Sequence, residues 1–226
     1  MSDGGGLVLE PSVTATGDPS PHPADGPQEL DVSSIRLLEL RHRIKNLLAI
    51  VQAVAHQTLR TGRSIEEARG ALDGRLVAMG HAVDMLLQTG WTAGGLRDVI
   101  ARALLDADGR VSAEGADLVL NPDAVMALTL VFHELESNSL KYGALSVDGG
   151  RVAVRWSARE EEGVDCLRLE WVESGGPPCA PPSRKGFGSQ MVAKLVGGRL
   201  RGRVGADYGA EGLSWHLAAP MAAMVA

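Results

Sequence analysis

Cysteine is scarce in this chain. Cys166 and Cys179 are the only two in 226 residues, too few for a disulfide framework, and they are read as reduced thiols. A basic surplus is also missing. The formal charge is −6, and Asp3, Glu10, Asp18, Asp25 and Glu29 fall in the first thirty residues, which hold no Lys or Arg. The remaining body is nearly neutral and leaves no electrostatic footprint for nucleic acid. There is no charged-start, apolar-middle leader, no apolar run long enough to span a bilayer, and no internal repeat. The histidines His22, His56, His81 and His216 show no zinc-like spacing. These absences point to a soluble cytoplasmic protein without membrane or nucleic-acid partners.

What is present divides into three parts. Residues 1–30 carry five of the eleven prolines and five glycines, so ordering them costs more entropy than burial returns, and a disordered tail is expected. From about Asp31 to Arg60, Leu37, Leu40, Ile44, Leu47, Val51 and Val54 recur at spacings of three and four, the seam of packed helices, which Gly62 would end. A second helix is predicted over 64–88. "SIEE" is a capping-box sequence there, and Leu72, Leu76, Met79, Val83 and Leu86 keep the spacing. Residues 31–90 thus form a helical hairpin whose apolar stripe is too wide to stay exposed. It should dimerise into a four-helix bundle or pack on the domain that follows.

From 91 to 226 the pattern is mixed. "LRDVIARALLDA" reads as a helix, "DLVL" as a short strand, and "NPDAVMALTLVFHELESNSLKYGA" as a long helix with Pro122 in its first turn. "RVAVRWSARE" and "DCLRLEWVE" alternate with period two around the turn-like "EEGV". A glycine-rich loop, a helix from about Phe187 and two last strands complete an α/β sandwich, so the chain as a whole is α+β.

Three stretches carry chemistry. In "LELRHRIKNLLAI", His42 lies two residues before Ile44, about 200° around the axis, and points away from the seam. Taken alone it is a solvated surface histidine. Against that, Arg41, Arg43 and Lys45 form a positive collar suited to a polyphosphate, and Asn46 sits one turn on, within reach of an imidazole nitrogen. In "FHELESNSLKYGA", Glu134, Asn138 and Lys141 share one face beside a buried stripe of Leu128, Phe132 and Leu135. The set is either an ordinary polar face or a magnesium–polyphosphate site, Asn138 offering oxygen to the metal and Lys141 charge to phosphate. In "WVESGGPPCAPPSRKGFGSQM", Gly175 and Gly176 allow close approach to a flat ligand, and Gly186 and Gly188 open a helix, although glycine pairs by themselves are commonly turns. Trp171 alternates with Leu169 and Glu173, so its ring suits a core position at least as well as a nucleotide contact.

Together and in this order, "LRHRIKNLLAIVQAVAHQTLR", "FHELESNSLKYGALS", "WVESGGPP" and "GFGSQMV" resemble the HWE-type sensor histidine kinases. The letters name residues that stand here as His133, Trp171 and Glu173. The resemblance spans about residues 35–220. It implies a dimerisation and histidine-phosphotransfer hairpin over 31–90, then a Bergerat-type ATP-binding domain over 91–226. It also implies His42 as phosphoacceptor, Asn138 as magnesium ligand and Glu173 as acceptor for the adenine amino group. Gly175 and Gly176 would floor the adenine pocket, and Gly186 and Gly188 would hinge the lid. Lys141, Tyr142 and Lys185 complete the expected ATP-binding set.

The sequence departs from the family pattern in places. Arg43 follows the nucleophile where many histidine kinases keep an acid, so no local carboxylate on the first helix is expected to take the imidazole proton, and Glu134 is the candidate. Glu136 and Ser139 replace residues that are usually small or apolar, and the lid is short. The implied activity is ATP- and Mg2+-dependent autophosphorylation of His42 followed by transfer to a response-regulator receiver aspartate. The implied partners are a second copy of the chain and a separate upstream sensor or regulator, since a tail of about thirty residues holds no folded sensor. The alternative is a phosphorelay adaptor whose ATP-binding domain has degenerated.

Overall fold

The structure, a computed structural model, describes residues 32–59, 64–104, 107, 109–181 and 187–226. The expected tail, Gly62, Lys185 and Gly186 lie outside the described residues. The chain divides into two compact units, 1–45 and 46–226. Helix α1 (Val32–Leu59) supplies the described part of the first and opens the second. In the first unit, Leu37, Leu38, Leu40 and Ile44 are all exposed.

The second unit holds one hydrophobic core. On the α1 side it begins at Ile50 and Val54, which are buried, with Leu47 and Val51 packed beside them. Helix α2 (Ile65–Gln88) starts as its sequence predicts. Ser64 Oγ accepts the Glu67 N–H at 3.2 Å and the Glu67 carboxylate accepts the Ser64 N–H at 3.1 Å, satisfying two otherwise orphaned donors. Ala78, Met79, Ala82, Met85 and Leu86 of α2 enter the same core. Within this unit Val54, Met79 and Leu86 of the hairpin's stripe are buried in the core shared with the later helices, while Leu76 is exposed.

The later elements run β1 (Gly94–Gly95), α3 (Leu96–Ala103), β2 (Val111–Glu114), β3 (Val119–Leu120), α4 (Pro122–Tyr142), β4 (Arg151–Glu161), β5 (Val164–Ser174), α5 (Phe187–Arg199), β6 (Arg203–Gly209) and β7 (Gly212–Pro220). The main sheet has the order β2-β4-β5-β7-β6, with only β2 and β4 parallel, and β1 pairs with β3 apart from it. β4 and β5 are joined through Glu162 and Gly163, both at positive φ (53° and 80°), the signature of a two-residue hairpin turn whose twist suits the strands. One face of the sheet is apolar. Val152, Val154 and Trp156, then Leu167, Leu169 and Trp171, then Trp215 and Leu217 are buried against core residues of the helices such as Leu128, Phe132 and Val196. The other face carries charges, among them the Arg155–Glu114 and Arg168–Glu170 pairs, as a half-solvated sheet requires.

Helix α4 is the axis of this layer. It packs against α2, α3 and α5 and is buried along most of its length. Its start is pinned twice by one residue. Asn121 Oδ1 accepts the Ala124 N–H at 2.9 Å, while its Nδ2 donates to the Ala223 carbonyl at 3.0 Å, tying the C-terminal turn to the helix. Asn121→Ala removes both bonds and should cost about 2 kcal/mol, read as a lower urea midpoint at unchanged slope.

Candidate active site

On α1, His42 is exposed between exposed Arg41 and half-buried Arg43, and Lys45 is exposed as well. The collar is less positive than the sequence suggested, because Arg43 is paired with Glu39 one turn before it. That glutamate, three residues before His42, is also a carboxylate on the first helix that the reading of the sequence passed over. Asn46, on the same helix, is half-buried.

Helix α4 separates residues expected to share one polar face. Asn138, Lys141 and Tyr142 are exposed, but Glu134 is 6% exposed. Arg75 of α2, only 3% exposed, reaches its carboxylate with two bonds, Nε to Oε1 at 2.7 Å and Nη2 to Oε2 at 2.9 Å. A third guanidinium nitrogen donates to Thr58 Oγ1 at 2.9 Å, and that hydroxyl donates to the Val54 carbonyl at 2.6 Å. The fork geometry of arginine is what allows one residue to hold a carboxylate and a hydroxyl at once. Glu136 and Ser139 are buried too, and Ser139 Oγ accepts the Leu145 N–H at 3.2 Å, so the hydroxyl has a structural use.

α5 closes on this region through glycine. A side chain at Gly188 would run into Glu134 Oε2 and come within 3.7 Å of the Asn138 carboxamide. Gly188, Glu134 and Asn138 therefore meet where α5 begins, and only a residue without Cβ leaves space there.

The second buried acid lies at the end of β5. Glu173, 3% exposed, accepts the Ala144 N–H at 2.8 Å through Oε2 and the Trp171 indole N–H at 3.1 Å through Oε1. Gly175 takes φ +70°, and a Cβ on it would stand 2.9 Å from the Gly149 carbonyl, while one on Gly176 would lie 2.5 Å from Ala144 Cα. These two glycines let β5 turn tightly past the segment that binds Glu173. Nearby, burial pushes the Cys179 thiol up, with the charge of Glu173 adding to the push, and burial followed by Cys179 raises Tyr208. Cys179 is thus a neutral thiol at pH 7 and no thiolate nucleophile. Among the described residues no group of three His, Cys, Asp or Glu could hold a metal ion, and no helix is long and apolar enough to cross a membrane.

The sequence profile of the HWE histidine kinases matches residues 39–117. A blue-light-activated histidine kinase of Brucella anthropi is 35% identical over 191 residues, 83% of this chain, and one of Brucella ovis is 34% identical over 187. The chain belongs to the HWE histidine kinase family. It covers 39% and 38% of the length of these two relatives. The fold agrees. The histidine kinase domain of the Erythrobacter litoralis EL346 blue-light-activated histidine kinase superposes with a TM-score of 0.54 at 16% identity, over 77% of this chain and 96% of that one.

The HWE residues occupy defined places. His133 is half-buried on α4, with its Nε2 close enough to α2 that a Cβ on Gly74 would stand 3.1 Å away, while Trp171 and Glu173 are bonded to each other. Arg75 had no signal in the sequence, where "DGRLV" looks like any helical surface. Its effect on stability is checkable. Arg75→Ala leaves Glu134 as an uncompensated buried charge and should cost about 3–5 kcal/mol, whereas Arg75→Met with Glu134→Leu should recover most of that loss. Urea unfolding of the two variants decides it.

Proposed function

We propose that this chain is the kinase module of a two-component system, an ATP-dependent protein-histidine kinase that phosphorylates His42 and hands the phosphoryl group to an aspartate of a response-regulator receiver domain. Residues 31–90 act as the phosphotransfer hairpin and 91–226 as the ATP-binding domain. The observation that carries this reading is the meeting of Glu134, Asn138 and Gly188 at the start of α5 in a chain whose first helix exposes His42. The Asn138 carboxamide is exposed and offers a hard oxygen of the kind a hydrated magnesium ion takes, so Asn138 would hold the ion through its side-chain oxygen. Bound there with ATP, magnesium supplies neutralisation of charge on the phosphate oxygens.

The chain's own residues have separate tasks. A ring nitrogen of His42 attacks the γ-phosphorus. The P–N bond forms, the bond to the β–γ bridging oxygen breaks, and ADP leaves. Asn46 holds the imidazole in its productive tautomer, and Lys141, Tyr142 and Lys185 contact the nucleotide. Gly175 and Gly176 floor the base pocket, and Gly188 brings the start of α5 against Glu134 and Asn138. The ring proton passes to Glu134, which must first leave Arg75, so the rate of phosphorylation depends on how readily that ion pair opens. The exposed Leu37, Leu40 and Ile44 form the contact of a homodimer, which light scattering at about tens of micromolar should detect.

Incubation with γ-labelled ATP tests the activity. The label should survive alkali and be lost in acid, as a phosphoramidate is. His42→Ala and Asn138→Ala should each abolish it. Glu134→Gln leaves Arg75 without its carboxylate and should lower stability, but in the folded variant it should keep ATP affinity, slow labelling by at least roughly tenfold, and leave transfer from phosphorylated His42 to a receiver unchanged. Label remaining on His42→Ala would move the acceptor elsewhere.

A further inference from the structure

Glu173 occupies a position where the strand pattern calls for an apolar side chain. On β5 the inward-facing residues are Leu167, Leu169, Trp171 and Glu173, and all four are buried. A buried carboxylate must be met by donors. Two are on hand, the Ala144 N–H at 2.8 Å and the Trp171 indole N–H at 3.1 Å, one on each oxygen. Trp171 is itself immobile. It is fully buried and flanked in the sheet register by Val154 on one side and Trp215 on the other. Two glycines approach the Glu173 side chain closely. A side chain on Gly143 would fall on the Glu173 carboxylate, and one on Gly212 would stand 3.0 Å from the Glu173 Cβ.

Glutamate has three rotatable bonds, and a carboxylate accepts up to about four hydrogen bonds. With one protein donor on each oxygen, Glu173 keeps acceptor capacity on both, and its direction is set by the donors already in place. Resting on the reading of Glu173 as the acceptor for the adenine amino group, we infer that Trp171 is a positioning residue for base selection. Its indole N–H locks the Glu173 carboxylate so that the free lone pairs point at one place, and an N–H donor on the ligand is rewarded there while a base lacking it is not. Trp171 touches no nucleotide and acts only through Glu173.

The test compares the dissociation constants of the full chain for ATP and for purine riboside 5′-triphosphate, which lacks the 6-amino group. Wild type should prefer ATP by about tenfold, the scale set by leaving a buried acceptor unmatched. Trp171→Phe keeps an aromatic ring in the core but removes the N–H, and should bring the ratio close to one. In a Glu173→Gln background the same substitution should leave the ratio unmoved, because the carboxylate through which Trp171 acts is gone, whereas a purely structural tryptophan would leave the ratio at its wild-type value in the single variant. A wild type that does not discriminate puts the failure in the base-recognition reading and overturns the inference with it. A discriminating wild type whose ratio persists in folded Trp171→Phe overturns the positioning role alone. Should Trp171→Phe fail to fold, the indole N–H resonance of Trp171 in the wild-type chain decides. It should shift on adding ATP and much less on adding the purine analogue, and equal shifts with both would overturn the proposal.

Discussion

The packing of the helices in the second unit depends on one buried ion pair. Arg75 and Glu134 are withdrawn from water on α2 and α4, and their bidentate contact is extended by Thr58 from α1. Three helices are thereby held in one register. Apolar contacts such as Met79, Leu86 and Leu128 supply attraction, but they would tolerate sliding by a turn. A guanidinium fork matched to one carboxylate and one hydroxyl does not, because any shift leaves a charge buried without its partner. Under the proposed mechanism the same acid would both join the helices and accept the proton of the imidazole.

The two buried glutamates meet different kinds of partner. Glu134 faces a full positive charge, which satisfies both oxygens and leaves little acceptor capacity while the pair is closed. Glu173 accepts from a peptide N–H and an indole N–H, donors that carry no full charge. Its negative charge is felt outside the cluster, where it helps burial raise the Cys179 thiol. A neutralised acid suits a structural contact that opens on demand. An acid held by neutral donors suits the recognition of a further donor. Glycine makes both possible, at Gly188 against Glu134 and at Gly143 against Glu173, since a Cβ at either would displace the carboxylate.

Much of the fold was legible where the signals are local. The capping box of Ser64 and Glu67, Pro122 after Asn121, and the two alternating runs around Glu162 and Gly163 all became the elements they indicated. β2 was missed. Its four residues were given no element, and they form a strand through parallel pairing with β4, some forty residues later. The seam of α1 was read as continuous, yet Leu37, Leu40 and Ile44 are exposed while Ile50, which the seam omitted, is buried. Spacing defines a stripe on a helix, but what covers each part of it is a non-local fact.

The candidate site divides along the same line. Sequence by itself determined which candidate residues are present and in what order, because the types and spacings of His42, Glu134, Asn138, Glu173 and the glycines are local and together resemble one family. Whether an acid is free or engaged was decided only by tertiary structure. On a helical wheel Glu134 shares a face with Asn138 and Lys141, and its burial against Arg75 requires α2 to be folded over α4. Trp171 and Glu173 alternate on one strand in any reading, but the bond between them needs the close approach of Ala144 and the side-chain-free space at Gly143 to hold the carboxylate in place. Periodicity states which way a side chain points. Its charge state, its partners and its remaining hydrogen-bonding capacity belong to the packed molecule, because desolvation and donor geometry exist only once distant segments have met.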